Sequence, residues 1–333
     1  MPVTATRTGK QPHSLLWSGA WLRIFFKPKI IGICSLNRLP NRLERVLKQK
    51  VRTMRLAIAG GKGGTGKTMI AASLVEYLGN NEVALFDVDV EEPDAHFFLG
   101  HEILDKKNHF RLVPRIDANK CNYCGLCARI CAFNALAVLP GEVLLFPELC
   151  HSCSACLHLC PSRAISEEEH HTGEIEEALL FGGGKMVSGF LDVGEPRATT
   201  LINAVKQYAQ GINWNIIDCP PGSSCPVIEA IRYCDYCLLV TEPTPFGLHD
   251  LELVLEACRM LDIPAGIVIN RWQGSDGNID HAAARNGVPV LTRIPFMPEL
   301  ARAYSRGKNP LHAAPCLYKS MEEIIRGVKE ALA

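Results

Sequence analysis

Short apolar runs alternate with longer amphipathic stretches from Met54 to the end of the chain. The apolar runs predict buried strands at residues 56–59, 83–87, 216–218, 236–241, 266–270 and 288–294. The amphipathic stretches predict helices near residues 67–79, 197–210, 224–233, 246–262, 278–286 and 317–332. Strands that alternate with helices in this way predict an α/β fold with a doubly wound, mostly parallel sheet.

The alternation stops between about residues 115 and 168 and resumes near Glu174. Eight regularly spaced cysteines occupy the interruption. A change of pattern in mid-sequence indicates an inserted domain rather than one fused to a terminus. We therefore assign residues 54–114 and 174–333 to one domain and residues 115–168 to an insertion.

The first 53 residues hold eleven Lys and Arg and one acidic residue, Glu44. Their apolar stretch from Leu15 to Phe26 is interrupted by Arg23 and is too short to span a bilayer. Met54 directly precedes the first predicted strand. We interpret residues 1–53 as a disordered or artefactual extension, with a weak amphipathic membrane-surface segment as the alternative. No transmembrane segment is predicted.

Composition and charge limit both the expected cellular compartment and the class of binding partner. The chain has fifteen cysteines, and an odd number in a chain of 333 residues does not suggest a disulfide framework. A reducing compartment is the better inference, so we expect a cytoplasmic protein. After residue 53 there are 24 basic and 34 acidic residues, which argues against nucleic-acid binding by broad charge attraction.

Residues 61–68 read GKGGTGKT and fit the phosphate-binding motif G-x-x-x-x-G-K-S/T between a predicted strand and a predicted helix. Glycines let backbone N–H groups turn toward phosphate oxygens, and the helix N-terminus adds positive potential. Lys67 is expected to reach the β- and γ-phosphates of ATP, and the Thr68 hydroxyl is expected to ligate Mg²⁺. The backbone predicted to cradle the phosphates belongs to Gly61, Gly63, Gly64, Thr65 and Gly66.

Acidic residues follow two of the predicted strands. Asp218 ends the apolar run at 214–217, where a carboxylate suits the role of holding Mg²⁺ through water. Asp87 and Asp89 come just after the apolar run at 83–86, and both can face the γ-phosphate side. Asp87 is expected to join Thr68 and Asp218 around the Mg²⁺ ion. A helix cap is the alternative for a single aspartate at such a position.

The lysine after the first glycine of the motif, Lys62, makes the pattern resemble the deviant Walker A of the MinD/ParA/Mrp/nitrogenase iron protein superfamily. The resemblance covers roughly 54–114 and 174–333, with residues 87–89 similar to switch I and residues 218–222 similar to switch II. It implies ATP hydrolysis, with Asp89 positioning the attacking water. It also implies that Lys62 reaches the nucleotide of a partner subunit, in a homodimer or paralogue heterodimer that sandwiches ATP. Asn270 lies where the superfamily contacts adenine, although it could instead cap the next element.

The eight cysteines form two runs, each with the spacing C-x₂-C-x₂-C-x₃-C. This spacing is that of bacterial ferredoxins with two 4Fe–4S clusters, in which the fourth cysteine of each run ligates the other cluster. One cluster is therefore expected on Cys121, Cys124, Cys127 and Cys160. The other is expected on Cys150, Cys153, Cys156 and Cys131. The family usually has proline where this chain has Ala132, and a pair of zinc sites is the alternative.

An inserted α+β ferredoxin domain of this kind occurs in a subgroup of MinD-type ATPases, which this sequence resembles after Met54. Neighbouring clusters in such domains lie close enough for electrons to hop. Three hypotheses follow: an ATPase coupled to electron transfer, an ATP-dependent assembly factor or carrier for iron–sulfur or other metal centres, or a ParA/MinD-like positioning ATPase with redox-sensing clusters. Each implies an unknown redox or metal-centre client protein.

Three further features are given lesser roles. Cys234 and Cys237 form a C-x₂-C pair at the start of a predicted buried strand, where cysteine often acts as a small hydrophobe. Cys225, seven residues after Asp218, stays open as a ligand or redox residue. The histidines at 170–171 are interpreted as part of a solvated loop.

Overall fold

The computed structural model describes residues 53–79, 82–209, 211–275 and 278–333, so the predicted extension at 1–53 lies almost wholly outside the described residues. The strands are β1 (Met54–Ala59), β2 (Val83–Asp87), β3 (His101–Ile116), β4 (Leu136–Leu139), β5 (Glu142–Leu145), β6 (Ile165–Leu180), β7 (Lys185–Leu191), β8 (Trp214–Asp218), β9 (Tyr236–Thr241), β10 (Ala265–Trp272) and β11 (Val290–Pro295). The helices are α1 (Lys67–Leu78), α2 (Leu126–Ile130), α3 (Ala155–His158), α4 (Ala198–Lys206), α5 (Cys225–Ile231), α6 (Pro245–Met260), α7 (Ile279–Asn286), α8 (Pro298–Tyr304), α9 (Pro310–Ala313) and α10 (Leu317–Ala331). Among the helices described, none is long and apolar enough to cross a bilayer.

A nine-stranded sheet in the order β11-β10-β9-β1-β8-β2-β7-β6-β3 organises the chain. The seven strands from β11 to β7 run parallel, and β6 and β3 extend the sheet antiparallel. Apolar cores lie against both faces: α4, α5, α6 and α7 contribute to one, and α1, α8, α9 and α10 contribute to the other. The predicted doubly wound, mostly parallel α/β fold is therefore confirmed.

The structure contains a long ribbon that the apolar pattern does not predict. β3 and β6 pair over 16 residues each, and the segment 117–164 lies between them in the chain. Many of their side chains are charged and exposed, and cross-strand ion pairs such as Lys107–Glu177 replace apolar contacts. The predicted limits of the insertion, 115 and 168, fall inside the ends of these two strands. The histidines at 170–171 lie in β6 and not in a loop, so that prediction is wrong.

Candidate functional site

The phosphate motif forms the turn between β1 and α1. Gly66 has φ of 97°, which L side chains rarely adopt, and a Cβ there would lie 2.5 Å from the Asn270 side-chain nitrogen. That nitrogen instead donates to the Thr65 carbonyl at 2.7 Å. The absence of a side chain at Gly66 therefore lets the Asn270 amide, at the end of β10, pack against the phosphate turn.

Two cations hold other carbonyls of the same turn. The Arg271 guanidinium donates to the Gly64 carbonyl at 2.9 Å, and Lys67 Nζ lies 3.4 Å from the Lys62 carbonyl. Carbonyls held in this way leave the N–H groups of the turn for an anion, as in a phosphate-binding nest. Lys67 is 6% exposed, so its charged group lies at the turn and is largely shielded from solvent.

The acidic residues meet at the carboxyl ends of two adjacent strands. Asp87 and Asp218 are register partners on β2 and β8, and both are buried. Asp87 accepts hydrogen bonds from the N–H groups of Asp89 and Ala95, at 3.2 and 3.1 Å. It therefore also holds the loop that carries Asp89.

Asp218 is the less satisfied of the two carboxylates. Neither of its oxygens has a hydrogen-bond partner within bonding distance, although the Thr68 hydroxyl lies near enough to lower its pKa in part. A buried carboxylate without a partner is costly, and a divalent cation next to Thr68 would remove that cost. The residues here fit the predicted Mg²⁺ site.

The protonation of these groups reflects their burial. Burial raises the pKa of Asp87 well above its ordinary value, and the charge of Asp218 raises it further. Burial also raises the pKa of Asp89 and that of Asp218 to about 7, while the nearby Lys67 ammonium opposes both shifts. The raised pKa values mean that the three carboxyl groups carry their full negative charge only when a cation compensates it.

A cavity lies beside the phosphate turn, and Asn270 contributes to its wall. Apolar side chains that include Phe296, Met297 and Leu300 line its other side. An apolar slot next to a phosphate cradle suits the base of a nucleotide. The Asn270 amide is already engaged by Thr65, so the structure gives this residue a positioning role as well.

The eight cysteines of the insertion surround two hollows. The distal hollow, next to Ile116 and Ile165 at the end of the ribbon, is lined by Cys121, Cys124, Cys127 and Cys160. The proximal hollow, next to Leu112 and Pro114 and closer to the body of the sheet, is lined by Cys131, Cys150, Cys153 and Cys156. Each hollow thus takes three cysteines from one run and the fourth from the other. No set of three His, Cys, Asp or Glu side chains in the described chain is placed to hold a single metal ion.

The two cysteine runs share one backbone conformation. Tyr123 and Gly125 in the first run and Ser152 and Ser154 in the second occupy matching positions, and all four have φ between 51° and 76°. Backbone N–H groups donate to four sulfurs at 3.3 to 3.4 Å: Cys121, Cys131, Cys150 and Cys160. Such N–H···S bonds stabilise thiolates and tune clusters that thiolates hold.

A buried ion pair that the sequence analysis missed ties the proximal hollow to the sheet. Arg111 on β3 pairs with Glu195, which follows β7, at 3.2 Å, and both side chains are at most 5% exposed. Arg111 also donates to the carbonyls of Pro147 and Cys150, at 2.9 and 3.3 Å. No local pattern reveals this pair, because its members are distant in the sequence.

The described cysteines outside the insertion include both buried and exposed side chains. Cys234 and Cys237 are buried in the core, as predicted. Cys225 is exposed at the first residue of α5, and no contact in the structure assigns it a role.

Comparisons with known proteins agree with this geometry. Residues 56–311 match the family described as the CobQ/CobB/MinD/ParA nucleotide binding domain. An uncharacterized protein of Methanocaldococcus jannaschii is 32% identical over 261 residues, which are 77% of this chain and 91% of that protein. The iron–sulfur cluster carrier protein of Rickettsia typhi is 22% identical over 259 residues, which are 74% of this chain and 63% of that protein. The crystal structure of the cell division ATPase MinD of Pyrococcus furiosus has a TM-score of 0.51 at 20% identity, over 82% of this chain and 98% of that one.

Proposed function

Because this chain belongs to the CobQ/CobB/MinD/ParA nucleotide-binding family, we propose that it hydrolyses ATP as a dimer and couples its nucleotide state to electron transfer through two 4Fe–4S clusters. The observation that carries the proposal is the grouping of eight cysteines around two hollows on a ribbon of the ATPase sheet. The chain then works in the cytoplasm with a redox client.

The residues of the phosphate site have separate roles in ATP hydrolysis. The turn at 61–66 and Lys67 bind the phosphates, and Asp89 orients the attacking water. Thr68 and Asp218 would hold Mg²⁺, with Asp87 close by, and the ion would supply charge that stabilises the transferred phosphoryl group. The unpartnered oxygens of Asp218 support this assignment.

The cysteine hollows suit clusters better than paired zinc sites. In zinc sites built from C-x₂-C pairs, each pair usually serves one ion, whereas here the fourth cysteine of each run faces the hollow of the other run. That exchange is the pattern of two-cluster ferredoxins. Burial raises the pKa of Cys156 to about 11, so this thiol needs a bound metal, iron or zinc alike, to be ionised near neutral pH.

Iron and sulfide content tests the cluster assignment. After anaerobic purification we expect about eight irons and eight acid-labile sulfides per chain, with broad absorption near 400 nm. ATP turnover is measured on the same sample. Stoichiometric zinc without that absorption would remove the clusters from the proposal and leave only the ATPase.

A second candidate is an ATP-dependent carrier of iron–sulfur clusters. The relative named as such a carrier favours it, at 22% identity over most of this chain. Two incubations of the cluster-loaded protein, first reduced with dithionite and freed of the excess, separate the two functions in the presence of ATP: one with an apo-ferredoxin and one with an oxidised holo-ferredoxin. A carrier loses its iron to the apo-ferredoxin, whereas an electron-transfer ATPase passes electrons to the oxidised holo-ferredoxin and keeps its iron.

A further inference from the structure

Glu242 is a buried acid at the phosphate site that the mechanism above does not use. It follows β9 directly, at the edge of the sheet where β1 leads into the phosphate turn, and its side chain is 8% exposed. An acid buried to this extent needs compensating charge.

Two cations supply that charge, and both belong to the nucleotide site. Arg271 Nη1 lies 2.7 Å from Glu242 Oε1, while its Nη2 holds the Gly64 carbonyl of the phosphate turn. Lys62 Nζ lies 3.3 Å from Glu242 Oε2. The two contacts differ in length and in support rather than in exposure, since the Arg271 side chain is 50% exposed and that of Lys62 is 40% exposed. The Arg271 contact is shorter and its guanidinium is also held by the Gly64 carbonyl, whereas the Lys62 contact is 3.3 Å long.

We propose that Glu242 is the positioning residue that retains Lys62 in its own subunit until a partner subunit presents a nucleotide. The inference rests on the proposed function, in which Lys62 reaches across a dimer. Arg271 is the permanent counter-ion of Glu242, and Lys62 is the releasable one.

Arg271 is what makes this release feasible. Removing the only partner of a buried charge is strongly destabilising, because the remaining charge is left uncompensated. When Lys62 leaves, Arg271 still pairs with Glu242, so the departure costs only the weaker of two interactions. Glu242 thus makes dimerisation less favourable by the free energy of its contact with Lys62, but it does not prevent dimerisation.

Weakening this contact tests the proposal. The variants are Glu242→Gln, which removes the charge, and Glu242→Asp, which keeps the charge on a side chain too short to reach both cations. Glu252→Gln is the control, because Glu252 pairs with Arg285 on the exposed side of α6. The dimer dissociation constant is measured by analytical ultracentrifugation with the non-hydrolysable analogue AMP-PNP, and ADP affinity is measured by calorimetry on the monomer.

We expect both Glu242 variants to dimerise with a dissociation constant roughly tenfold lower than wild type, while ADP affinity stays within about twofold and the control is unchanged. A merely structural role would weaken dimerisation, not tighten it. If wild type dimerises and both variants dimerise equally or less well, this inference is wrong and the proposed function stands. If wild type stays monomeric with AMP-PNP bound, the sandwich dimer and this inference both fail.

Discussion

A single buried lysine, Lys206, caps the C-terminus of α5, the helix that follows Asp218 in the chain. Lys206 Nζ lies 2.6, 2.8 and 2.7 Å from the carbonyl oxygens of Glu229, Ala230 and Arg232 at the end of α5. Its side chain is buried, and burial lowers its pKa. A cation at a helix C-terminus is favourable, and here it also satisfies three carbonyls that lack other partners in the helix.

Replacing this lysine is expected to destabilise the fold. Lys206→Met keeps the apolar stem but leaves the three carbonyls without their donor, which should cost about 2–4 kcal/mol in the free energy of unfolding. Urea unfolding measures the change. Lys319→Met, at an exposed position of α10, is the control. Equal stability of the two variants would contradict the capping role.

At the phosphate site, binding and hydrolysis are expected to separate between two residues. Lys67→Ala removes the main charge on the phosphates and should abolish detectable ATP binding. Asp89→Ala should keep ATP affinity within a few-fold and slow turnover by roughly 10²-fold, because it removes only the group that orients water. Equilibrium binding and single-turnover kinetics distinguish the two. Loss of binding in both variants would assign Asp89 to nucleotide binding.

The sequence predicted the residues of the phosphate turn because their spacing is local, and the acids because they end strands. It could not reveal Glu242 as a partner of Lys62 and Arg271, since those positions lie far apart in the chain. The general rule that sites form at the carboxyl ends of parallel strands is the one signal that points to Glu242.

At the scale of elements, the two shortest helices of the insertion each carry the chain from one hollow to the other. α2 places Cys127 at the distal hollow, and Cys131 follows it at the proximal one. α3 does the reverse with Cys156 and Cys160. The cysteine that follows either helix therefore lines the hollow of the other run.

Cys131→Ser is accordingly expected to damage the cluster held by the second run and to spare the cluster of its own run. Electron paramagnetic resonance of the reduced protein should show a single perturbed cluster. Cys124→Ser is the matched comparison, because Cys124 lies in the distal hollow with Cys121 and Cys127 of its own run. Identical spectra from the two variants would refute the crossed assignment.

Apolar periodicity located the six predicted strands and six predicted helices to within a few residues. It could do so because each of these elements packs its apolar side chains into one or both of the two cores. It missed β7 of the parallel sheet, the short strands β4 and β5, and the strands β3 and β6, where charged residues pair across an exposed ribbon. It also missed α8 and α9, which span only seven and four residues. Pairing between distant segments leaves no periodic signal in either one.

At the scale of the molecule, two successive contacts link the proximal hollow to the nucleotide site. The Leu191 N–H at the end of β7 donates to the Val90 carbonyl at 2.8 Å, just beyond Asp89. Glu195, four residues further along, holds Arg111 and through it the Cys150 carbonyl. A rearrangement of the loop at 87–90 on loss of the γ-phosphate would therefore reach the proximal hollow first.

The cluster potential is expected to depend on the nucleotide. A coupling on the order of 1–3 kcal/mol corresponds to roughly 40–130 mV for a one-electron couple, and reduction must then change ATP affinity by the same free energy. Redox titrations in ADP and in AMP-PNP measure it, and Arg111→Gln should reduce the difference. Equal midpoints in both nucleotides, with equal ATP affinity of oxidised and reduced protein, would show that the two sites are independent.

The strand order also fixes when the ATPase can assemble during synthesis. β1 pairs only with β8 and β9, and β2 pairs only with β7 and β8, so both leave the ribosome before any strand that can pair with them. The whole cysteine segment is translated in the interval, and the antiparallel ribbon brings its two ends together at little cost in loop-closure entropy. The eight thiols are consequently complete in the nascent chain before the strands on either side of the phosphate turn can pair.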